Sequence, residues 1–259
     1  MWRNGGQARR DGLQSARKSS KQSGMTTASP HPDLIIPAPP QASLPVRGTA
    51  ARFPLRRVYC VGRNYAAHAI EMGHDPDREA PFFFQKNPDN LLGDGADFPY
   101  PPMTGDVHHE IELLVALSGG GRDIAAEDAL GLVFGYATAL DMTRRDVQAG
   151  LKKAGRPWEA AKAFEHSAPC SALVPAREIG HPAQGAIWLK VNDQLRQEGD
   201  LNQMIWKTAG IIAELSRLFT LAPGDVIMTG TPAGVGPVQR GDVLHGHIEG
   251  IGALHTRVI

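Results

Sequence analysis

The sequence predicts an α+β fold built around a mixed, rolled-up sheet, a β-roll or sandwich with a few flanking helices. Short runs rich in β-branched and aromatic residues, which favour strands, outnumber the segments with helical periodicity. Strands and helices do not alternate regularly, as they would in a βαβ fold. No repeat of fixed period follows residue 50, which argues against a solenoid.

The predicted strands are short apolar runs bounded by glycine, proline or polar residues. They cover residues 56–62, 81–86, 110–117, 131–142, 186–192, 225–230, 243–248 and 253–259, and Asn192 opens a hairpin into residues 195–199.

Helical patterns interrupt these strands in three places. A short Ala-rich helix is expected within residues 64–73 and a second helix over residues 143–155. A third is expected over residues 202–219, where apolar residues recur at helical spacing. We expect this stripe to pack in the core, and it comprises Met204, Ile211, Ile212, Leu215, Leu218 and Phe219.

The composition is that of a globular protein that acts on a small molecule. The chain has 259 residues, of which 42% are hydrophobic, enough to bury a large core. Its 27 basic residues balance 27 acidic ones, so no net charge favours nucleic acid or an anionic membrane as partner. No apolar run approaches the roughly 20 residues that span a bilayer. Two distant cysteines, Cys60 and Cys170, fit a reducing cytosol, so we expect a cytoplasmic protein.

The first 50 residues differ from the rest of the chain. Residues 1–24 carry six basic residues against the single acid Asp11 and have few apolar residues to bury. Residues 26–50 are rich in proline, which disfavours helix. We expect residues 1–50 to form a disordered basic and then Pro-rich extension, with a transit peptide as the alternative for its start. Residues 51–259 are predicted to form the folded domain.

The stretch HHEIELLVAL contains the first candidate site. Glu110 and Glu112 are two residues apart in a predicted strand, so their carboxylates project from the same face. An exposed sheet edge is the simpler interpretation. The apolar run after Glu112 instead suggests burial, and two buried carboxylates need a cation or protons to neutralise them.

A third acid follows another apolar strand. Asp141 ends the run GLVFGYATAL, just before the predicted helix over residues 143–155. It could cap that helix. With Glu110 and Glu112 it could instead form a three-carboxylate site for Mg²⁺, Mn²⁺ or Ca²⁺, which prefer oxygen ligands.

Further candidates for catalysis and ligand binding occur elsewhere. His68 and Glu71 share one face of a predicted helix, which suits a general base with its orienting carboxylate, although an exposed pair has the same spacing. The TGTPAGVG segment, with Thr231, resembles a carboxylate cradle or a plain glycine-rich turn. Lys162, among Ala and Phe residues, is either a surface lysine or a buried cation.

Taken in order, these motifs resemble the fumarylacetoacetate hydrolase superfamily from about Phe53 to the end of the chain. The matching segments are GRNYAAHAIEM, PFFFQK, HHEIEL, GYATALDMTRRDVQ, KAGRPWEAAKAF, LKVNDQLRQEG and DVIMTGTPAGVGPV. The acylpyruvate hydrolase branch, and within it the bacterial fumarylpyruvate hydrolases, is the most similar. The resemblance implies a β-roll or sandwich of the fumarylacetoacetate hydrolase C-terminal type and a homodimer.

The resemblance also implies roles for nine residues. It places a Mg²⁺ or Mn²⁺ site on Glu110, Glu112 and Asp141. It places the catalytic residues at His68, Glu71 and Lys162 and the substrate contacts at Arg145, Gln148 and Thr231, and we add Arg63 as a candidate substrate contact.

The implied reaction is hydrolysis of the C3–C4 bond of a 2,4-diketo acid such as fumarylpyruvate, giving fumarate and pyruvate. Oxaloacetate decarboxylation, or isomerisation or decarboxylation of a 2-hydroxy-diene-dioate, is the alternative within enzymes, because it too passes through an enolate at a metal. A non-catalytic metal- or ligand-binding protein is the alternative outside enzymes. Arg63, Gln85 and Lys86 are equally open as readers of the far end of the substrate.

Overall fold

A computed structural model of the protein describes residues 34–66 and 81–259. The chain divides into a short unit, Met1–Pro39, and a compact unit, Pro40–Ile259. Residues 34–39 are the described part of the first unit and contain no helix or strand. The predicted disorder of residues 1–24 and most of the predicted helix within residues 64–73 lie outside the described residues.

The compact unit consists mainly of short strands. In chain order they are β1 (Ser43–Pro45), β2 (Arg52–Pro54), β3 (Arg57–Gly62), β4 (Phe82–Lys86), β5 (Leu91–Gly93), β6 (Val107–His109), β7 (Ile111–Leu117), β8 (Val133–Leu140), β9 (Thr143–Arg144), β10 (Ala168–Cys170), β11 (Val174–Pro175), β12 (Ala186–Val191), β13 (Gln194–Asp200), β14 (Asp225–Met228), β15 (Gly236–Val238), β16 (Val243–Ile248) and β17 (Gly252–Arg257).

The described helices are few and short. The α-helices are Ala126–Ala129, Arg145–Lys153, Glu159–Lys162, Ala176–Ile179 and Thr208–Leu218, and the 3₁₀ turns are Pro88–Asn90, Leu130–Leu132 and Leu201–Gln203.

A mixed sheet organises the unit, with strand order β4-β3-β14-β7-β8-β10-β5 and β11 also paired with β8. In it β14 runs parallel to β3, and β10 runs parallel to β5, while the other pairs are antiparallel. An antiparallel sheet β13-β12-β16-β17 and the smaller sheets β15-β6-β9 and β1-β2 complete the fold. The predicted α+β class with a mixed sheet and few helices is therefore confirmed.

Both faces of β7 are buried, which explains its nearly continuous apolar sequence. Ile111 and Val115 belong to the larger core cluster, which also contains residues of the four-stranded sheet and of the Thr208–Leu218 helix. Leu114 and Ala116 point to the other face and belong to a second cluster, which contains residues of β1 and β2. Alternate residues of a strand share a face, so Glu112 lies on the same side as Leu114.

The predicted third helix is shorter than expected. The α-helix begins at Thr208 rather than at residue 202, and a 3₁₀ turn, Leu201–Gln203, precedes it. The cause is a distant side chain: Asn64 accepts a hydrogen bond from Trp206 N and donates one to Trp206 O, at 2.6 and 2.9 Å. These bonds use the backbone groups that a longer helix needs. Leu218, predicted to pack in the core, is 61% exposed.

In the described part of the chain no helix has both the length and the apolar character needed to cross a membrane. Cys60 and Cys170 are free and buried. Burial raises the pKa of both thiols, which therefore stay protonated at neutral pH.

Candidate active site

The register between β7 and β8 brings the three predicted metal ligands together. Ile111 lies opposite Leu140 in this antiparallel pair, so Glu110 lies opposite Asp141 just beyond the paired strands. A hydrogen bond of 2.8 Å from Asp141 N to Glu110 O confirms this. Opposite residues of an antiparallel pair point to the same face, and Glu112, two residues on, shares that face.

The three carboxylates form a buried cluster. Each contributes an oxygen that lies within 4.8 Å of the others. Glu110, Glu112 and Asp141 are 6%, 2% and 0% exposed, so the interpretation of Glu110 and Glu112 as an exposed edge is wrong. The helix-cap interpretation of Asp141 is also wrong, because Arg144 occupies the N-cap position of the Arg145–Lys153 helix.

Two cations contact this carboxylate cluster from the helices that follow β8. Lys162 Nζ lies 2.9 Å from Glu110 Oε2 and 2.6 Å from Asp141 Oδ2 and is buried. Arg145 forms an ion pair with Glu110 and donates a hydrogen bond of 2.6 Å to Gln148 Oε1. Lys162 is thus a buried cation, rather than a surface lysine.

A further lysine supports the cluster from β4. Lys86 is buried, and its Nζ lies 2.8 Å from Asp141 Oδ1 and donates a hydrogen bond of 3.0 Å to Ser167 Oγ. Lys86 is therefore bound to the carboxylate cluster and is not placed to read a distant part of a ligand. Gln85, its neighbour on the strand, is exposed.

The electrostatics of the cluster suit a divalent cation. Burial, together with the negative charges of Asp141 and Glu110, raises the pKa of the Glu112 carboxyl well above its ordinary range. Burial would lower the pKa of Lys162, but the charges of Asp141 and Glu110 outweigh it and raise that pKa. The Lys162 ammonium therefore stays charged, but its charge does not offset the burial and the negative charges around the Glu112 carboxyl. Three hard oxygen donors in this state match the ligand preference of Mg²⁺ or Mn²⁺.

The carboxylate cluster lines a pocket that is also lined by Arg63, Gln148 and Thr231. Register again explains the arrangement. Gly62 pairs with Phe82 across β3 and β4, and a Cβ at residue 62 would lie 2.0 Å from the Phe82 ring. Only glycine leaves room for this ring in the pocket wall.

The TGTP segment reaches the cluster at the end of β14. Met228 lies opposite Leu114 on β7, which places Gly230 opposite Glu112. Gly230 N donates a hydrogen bond of 2.8 Å to Glu112 Oε2. Its φ of +93° lies in the left-handed region, which glycine adopts without strain. The segment is therefore part of the site rather than a plain turn.

Gln197, on β13, fixes the next residue of this segment. Its Oε1 accepts a hydrogen bond of 3.0 Å from Ile111 N, and its Nε2 donates one of 2.9 Å to Pro232 O. Because one backbone partner is a donor and the other is an acceptor, they fix which end of the amide is oxygen and which is nitrogen. Nε2 also donates to Thr231 Oγ1 at 2.8 Å, so the Thr231 hydroxyl proton is left to donate in another direction, and Thr231 lines the pocket.

The same amide assigns a role to His109. Its Nδ1 lies 2.9 Å from Gln197 Oε1, which is an acceptor, so Nδ1 carries the proton and donates it. Burial lowers the pKa of His109 despite this bond, and the ring is therefore neutral. His109 completes the four hydrogen bonds of Gln197. His108 instead lies 2.9 Å from Asp106 Oδ1, on the other side of the strand.

Replacing Gln197 with methionine should destabilise the protein by about 3 kcal/mol, because two buried backbone groups and the His109 ring would lose their partners. Gln194→Met on the same strand is the matched control, since Gln194 is exposed, and we expect a change of less than about 0.5 kcal/mol. Urea unfolding of both variants measures the difference. Equal stabilities would contradict the role given to Gln197.

Eight of the ten predicted site residues lie around the pocket. Arg63, Glu110, Glu112, Asp141, Arg145, Gln148, Lys162 and Thr231 all line it. His68 and Glu71 lie outside the described residues, so their predicted roles stay predictions.

Three residues that the sequence analysis did not single out also belong to the site. Lys152 and Trp158 line the pocket, and Gln197 supports it. A signal for Lys152 was present, because it follows Arg145 and Gln148 at the spacing of one helix face. No local pattern distinguishes Gln197, whose partners are distant in the sequence.

The fold and the site together define a class: an α+β protein whose mixed sheet positions a buried three-carboxylate metal site at a polar pocket. Comparison with known families agrees, since the family described as "Fumarylacetoacetate (FAA) hydrolase C-terminal" matches residues 57–259. The chain belongs to the fumarylacetoacetate hydrolase family.

Similar proteins carry more than one activity name. The crystal structure of fumarylpyruvate hydrolase from Pseudomonas aeruginosa in complex with Mn²⁺ and pyruvate is 49% identical, covers 88% of this chain and 99% of its own, and superposes with a TM-score of 0.86. Fumarylpyruvate hydrolase of a Ralstonia species is 42% identical over 72% of this chain and 98% of its own length. Oxaloacetate tautomerase YcgM of Escherichia coli is 43% identical over 82% of this chain and 97% of its own length.

Proposed function

We propose that this protein is a divalent-metal-dependent hydrolase that cleaves the C3–C4 bond of fumarylpyruvate, a 2,4-diketo acid, to give fumarate and pyruvate. The observation that carries the proposal is the pocket itself, where the buried cluster of Glu110, Glu112 and Asp141 faces Thr231 and Arg145. The relative from Pseudomonas aeruginosa, which bears this activity name, was crystallised with Mn²⁺ and with pyruvate, a product of the reaction.

The carboxylate cluster would hold Mg²⁺ or Mn²⁺, with Ca²⁺ as a substitute of the same ligand preference. When bound, such a cation supplies positive charge for the oxygens of the α-keto acid end of the substrate. We infer that Thr231 donates its hydroxyl proton to a substrate carboxylate, because its oxygen already accepts a hydrogen bond from Gln197 Nε2. Arg145 and Gln148, joined by a hydrogen bond, offer further donors on the same pocket wall.

Hydrolysis needs a water molecule that attacks C4, and we assign its activation to His68, oriented by Glu71. The proton of the water passes to His68 as the new C4–O bond forms. The C3–C4 bond then breaks and its electron pair moves to C3, which gives the enolate of pyruvate. Lys162, buried and charged, would stabilise this negative charge until C3 takes up a proton.

Oxaloacetate tautomerisation is the second candidate, and the similarity to the Escherichia coli tautomerase favours it. Like the oxaloacetate decarboxylase and diene-dioate isomerase alternatives, it involves an enolate. It requires proton transfer at C3 but no attack by water on a carbonyl carbon. The carboxylate cluster and Lys162 would serve either reaction, so turnover must separate them.

A substrate panel separates these reactions. Fumarylpyruvate, maleylpyruvate, acetylpyruvate and oxaloacetate are each supplied with Mg²⁺, with Mn²⁺ and with chelator, and the ultraviolet absorbance of the diketo acid is followed. We expect hydrolysis of fumarylpyruvate that falls by at least about 100-fold with chelator and returns with Mn²⁺, because the carboxylate cluster alone lacks the positive charge. A protein that leaves every acylpyruvate intact but tautomerises oxaloacetate would overturn the proposal.

We further propose that the enzyme is a cytoplasmic homodimer that needs neither nucleic acid nor a membrane for activity. The balanced charge of the chain supports the independence from nucleic acid and membranes. The family resemblance supports the homodimer, and the two distant cysteines support the cytoplasmic location.

A further inference from the structure

The residues that line the pocket become more exposed from its floor to its mouth. The carboxylate cluster at its floor is buried, whereas Arg63 is partly exposed and Lys152 is exposed, although both line the same pocket. The helix Arg145–Lys153 connects these two levels. Arg145 binds Glu110, and the seven residues from there to Lys152 advance about 10 Å along the helix axis, comparable with the extended length of fumarylpyruvate.

Two aromatic rings hold the cations at the mouth. Arg63 Cζ lies 5.2 Å from the centroid of the Phe82 ring, and Lys152 Nζ lies 6.0 Å from that of Trp158. The two rings meet edge to face, with centroids 5.3 Å apart. Cation–π attraction on this scale orients a charged side chain without neutralising it. The result is an apolar wall with a positive charge at each end.

The cations of the pocket differ in their partners. Lys162 and Arg145 form ion pairs with Glu110, whereas no ion pair joins Lys152 to another described residue. Burial, and then the positive charges of Arg63 and Arg145, lower the pKa of Lys152. The Lys152 ammonium therefore lies close to other cationic side chains, and a carboxylate bound beside it would be favourable.

We propose that Lys152, with Arg63 beside it, binds the distal carboxylate of the substrate, so that the enzyme prefers acylpyruvates whose acyl group is planar and ends in a carboxylate. This inference rests on the proposed function, because it concerns the acyl end of the same substrate. The rings of Phe82 and Trp158 would pack on the flat acyl chain, while the α-keto acid end lies at the carboxylate cluster. Lys152 is thus a specificity-determining residue.

The test compares two substrates with the same scissile bond. Fumarylpyruvate carries a –CH=CH–COO⁻ group on C4, whereas acetylpyruvate carries a methyl group there and so lacks the distal carboxylate. For Lys152→Met we expect kcat/KM for fumarylpyruvate to fall roughly tenfold, mainly through KM, because one charge-assisted contact is lost. The value for acetylpyruvate should change much less, by about twofold or less. Lys152→Arg, which keeps the charge, should recover most of the preference.

Lys153→Met is the matched control, because Lys153 is the next residue of the same helix, is exposed, and does not line the pocket. It should leave both substrates unaffected. Equal losses on both substrates in Lys152→Met, or the same loss in Lys153→Met, would refute the role of Lys152. A wild-type protein that hydrolyses neither substrate would refute the proposed function instead. Both compounds would then stay intact, and their binding could be measured by calorimetry in the presence of Mn²⁺. Lys152→Met should then bind fumarylpyruvate more weakly than the wild type does but bind acetylpyruvate equally well, and equal effects on both compounds would refute the role of Lys152.

Discussion

Asp141→Asn should abolish Mn²⁺ binding in the micromolar range and lower kcat by at least about 100-fold, beyond the roughly 10- to 100-fold that loss of a supporting contact costs a metal site. The substitution keeps the shape of the side chain but removes a carboxylate. Among the described residues, this carboxylate alone contacts both Lys162 and Lys86. Lys162 and Lys86 lie 2.6 and 2.8 Å from its two oxygens. Calorimetric titration with Mn²⁺ and steady-state turnover measure the two losses.

Asp128→Asn is the control, because Asp128 is exposed and lies on the short helix Ala126–Ala129, outside the pocket lining. It should bind Mn²⁺ and turn over substrate as the wild type does. Normal Mn²⁺ affinity in Asp141→Asn would contradict the assignment of the metal site.

Asp141→Asn also removes a negative charge from beside two buried lysines, which destabilises the fold. An effect of lost stability must therefore be distinguished from a direct loss of Mn²⁺ binding. Glu112→Gln does this, since it removes the carboxylate that is short of positive charge. Between the ordinary carboxyl pKa and the raised pKa of Glu112, the folded metal-free protein binds more protons than the unfolded chain, so its stability falls as pH rises. Glu112→Gln should lack this fall while still losing Mn²⁺ affinity. If Glu112→Gln lost both the pH dependence and the Mn²⁺ affinity only because the variant is unfolded, the assignment of Glu112 as a metal ligand would be contradicted.

The sequence was sufficient for most strands and for the identity of the carboxylate cluster, because both depend on local pattern. Alternation along HHEIELLVAL correctly placed Glu110 and Glu112 on one face. It did not show that β8 pairs with β7 so that Asp141 lies opposite Glu110. Register is a long-range property, and the sequence pattern of each strand alone allows several registers.

Where the predictions were wrong, a distant side chain competed with the local pattern. The periodicity of residues 202–219 is helical throughout, yet the side chain of Asn64 bonds to both backbone groups of Trp206 and delays the helix to Thr208. Gln197 escaped notice for the same reason, since its bonds to Ile111 and Pro232 span 86 and 35 residues. Polar residues that tie distant segments together leave no periodic signal.

His68→Ala should lower kcat for fumarylpyruvate by roughly 10²- to 10⁴-fold, the range that a lost general base costs, while Mn²⁺ affinity changes by less than about threefold. His68 lies outside the described residues, so the expectation comes from its spacing to Glu71 and from the family resemblance. The described flanks are consistent with it, since Arg63 and Phe82, on either side of residues 67–80, both line the pocket.

His255→Ala is the control for the loss of an imidazole, because His255 is exposed on β17 and stacks on His245, outside the pocket lining. If His68 only activates water, His68→Ala should lose hydrolysis yet keep any oxaloacetate tautomerisation, which needs no attack on a carbonyl carbon. Equal loss of both activities would make His68 a base for proton transfer at carbon. Hydrolysis within about threefold of wild type would show that another group activates the water, since a lost general base costs far more.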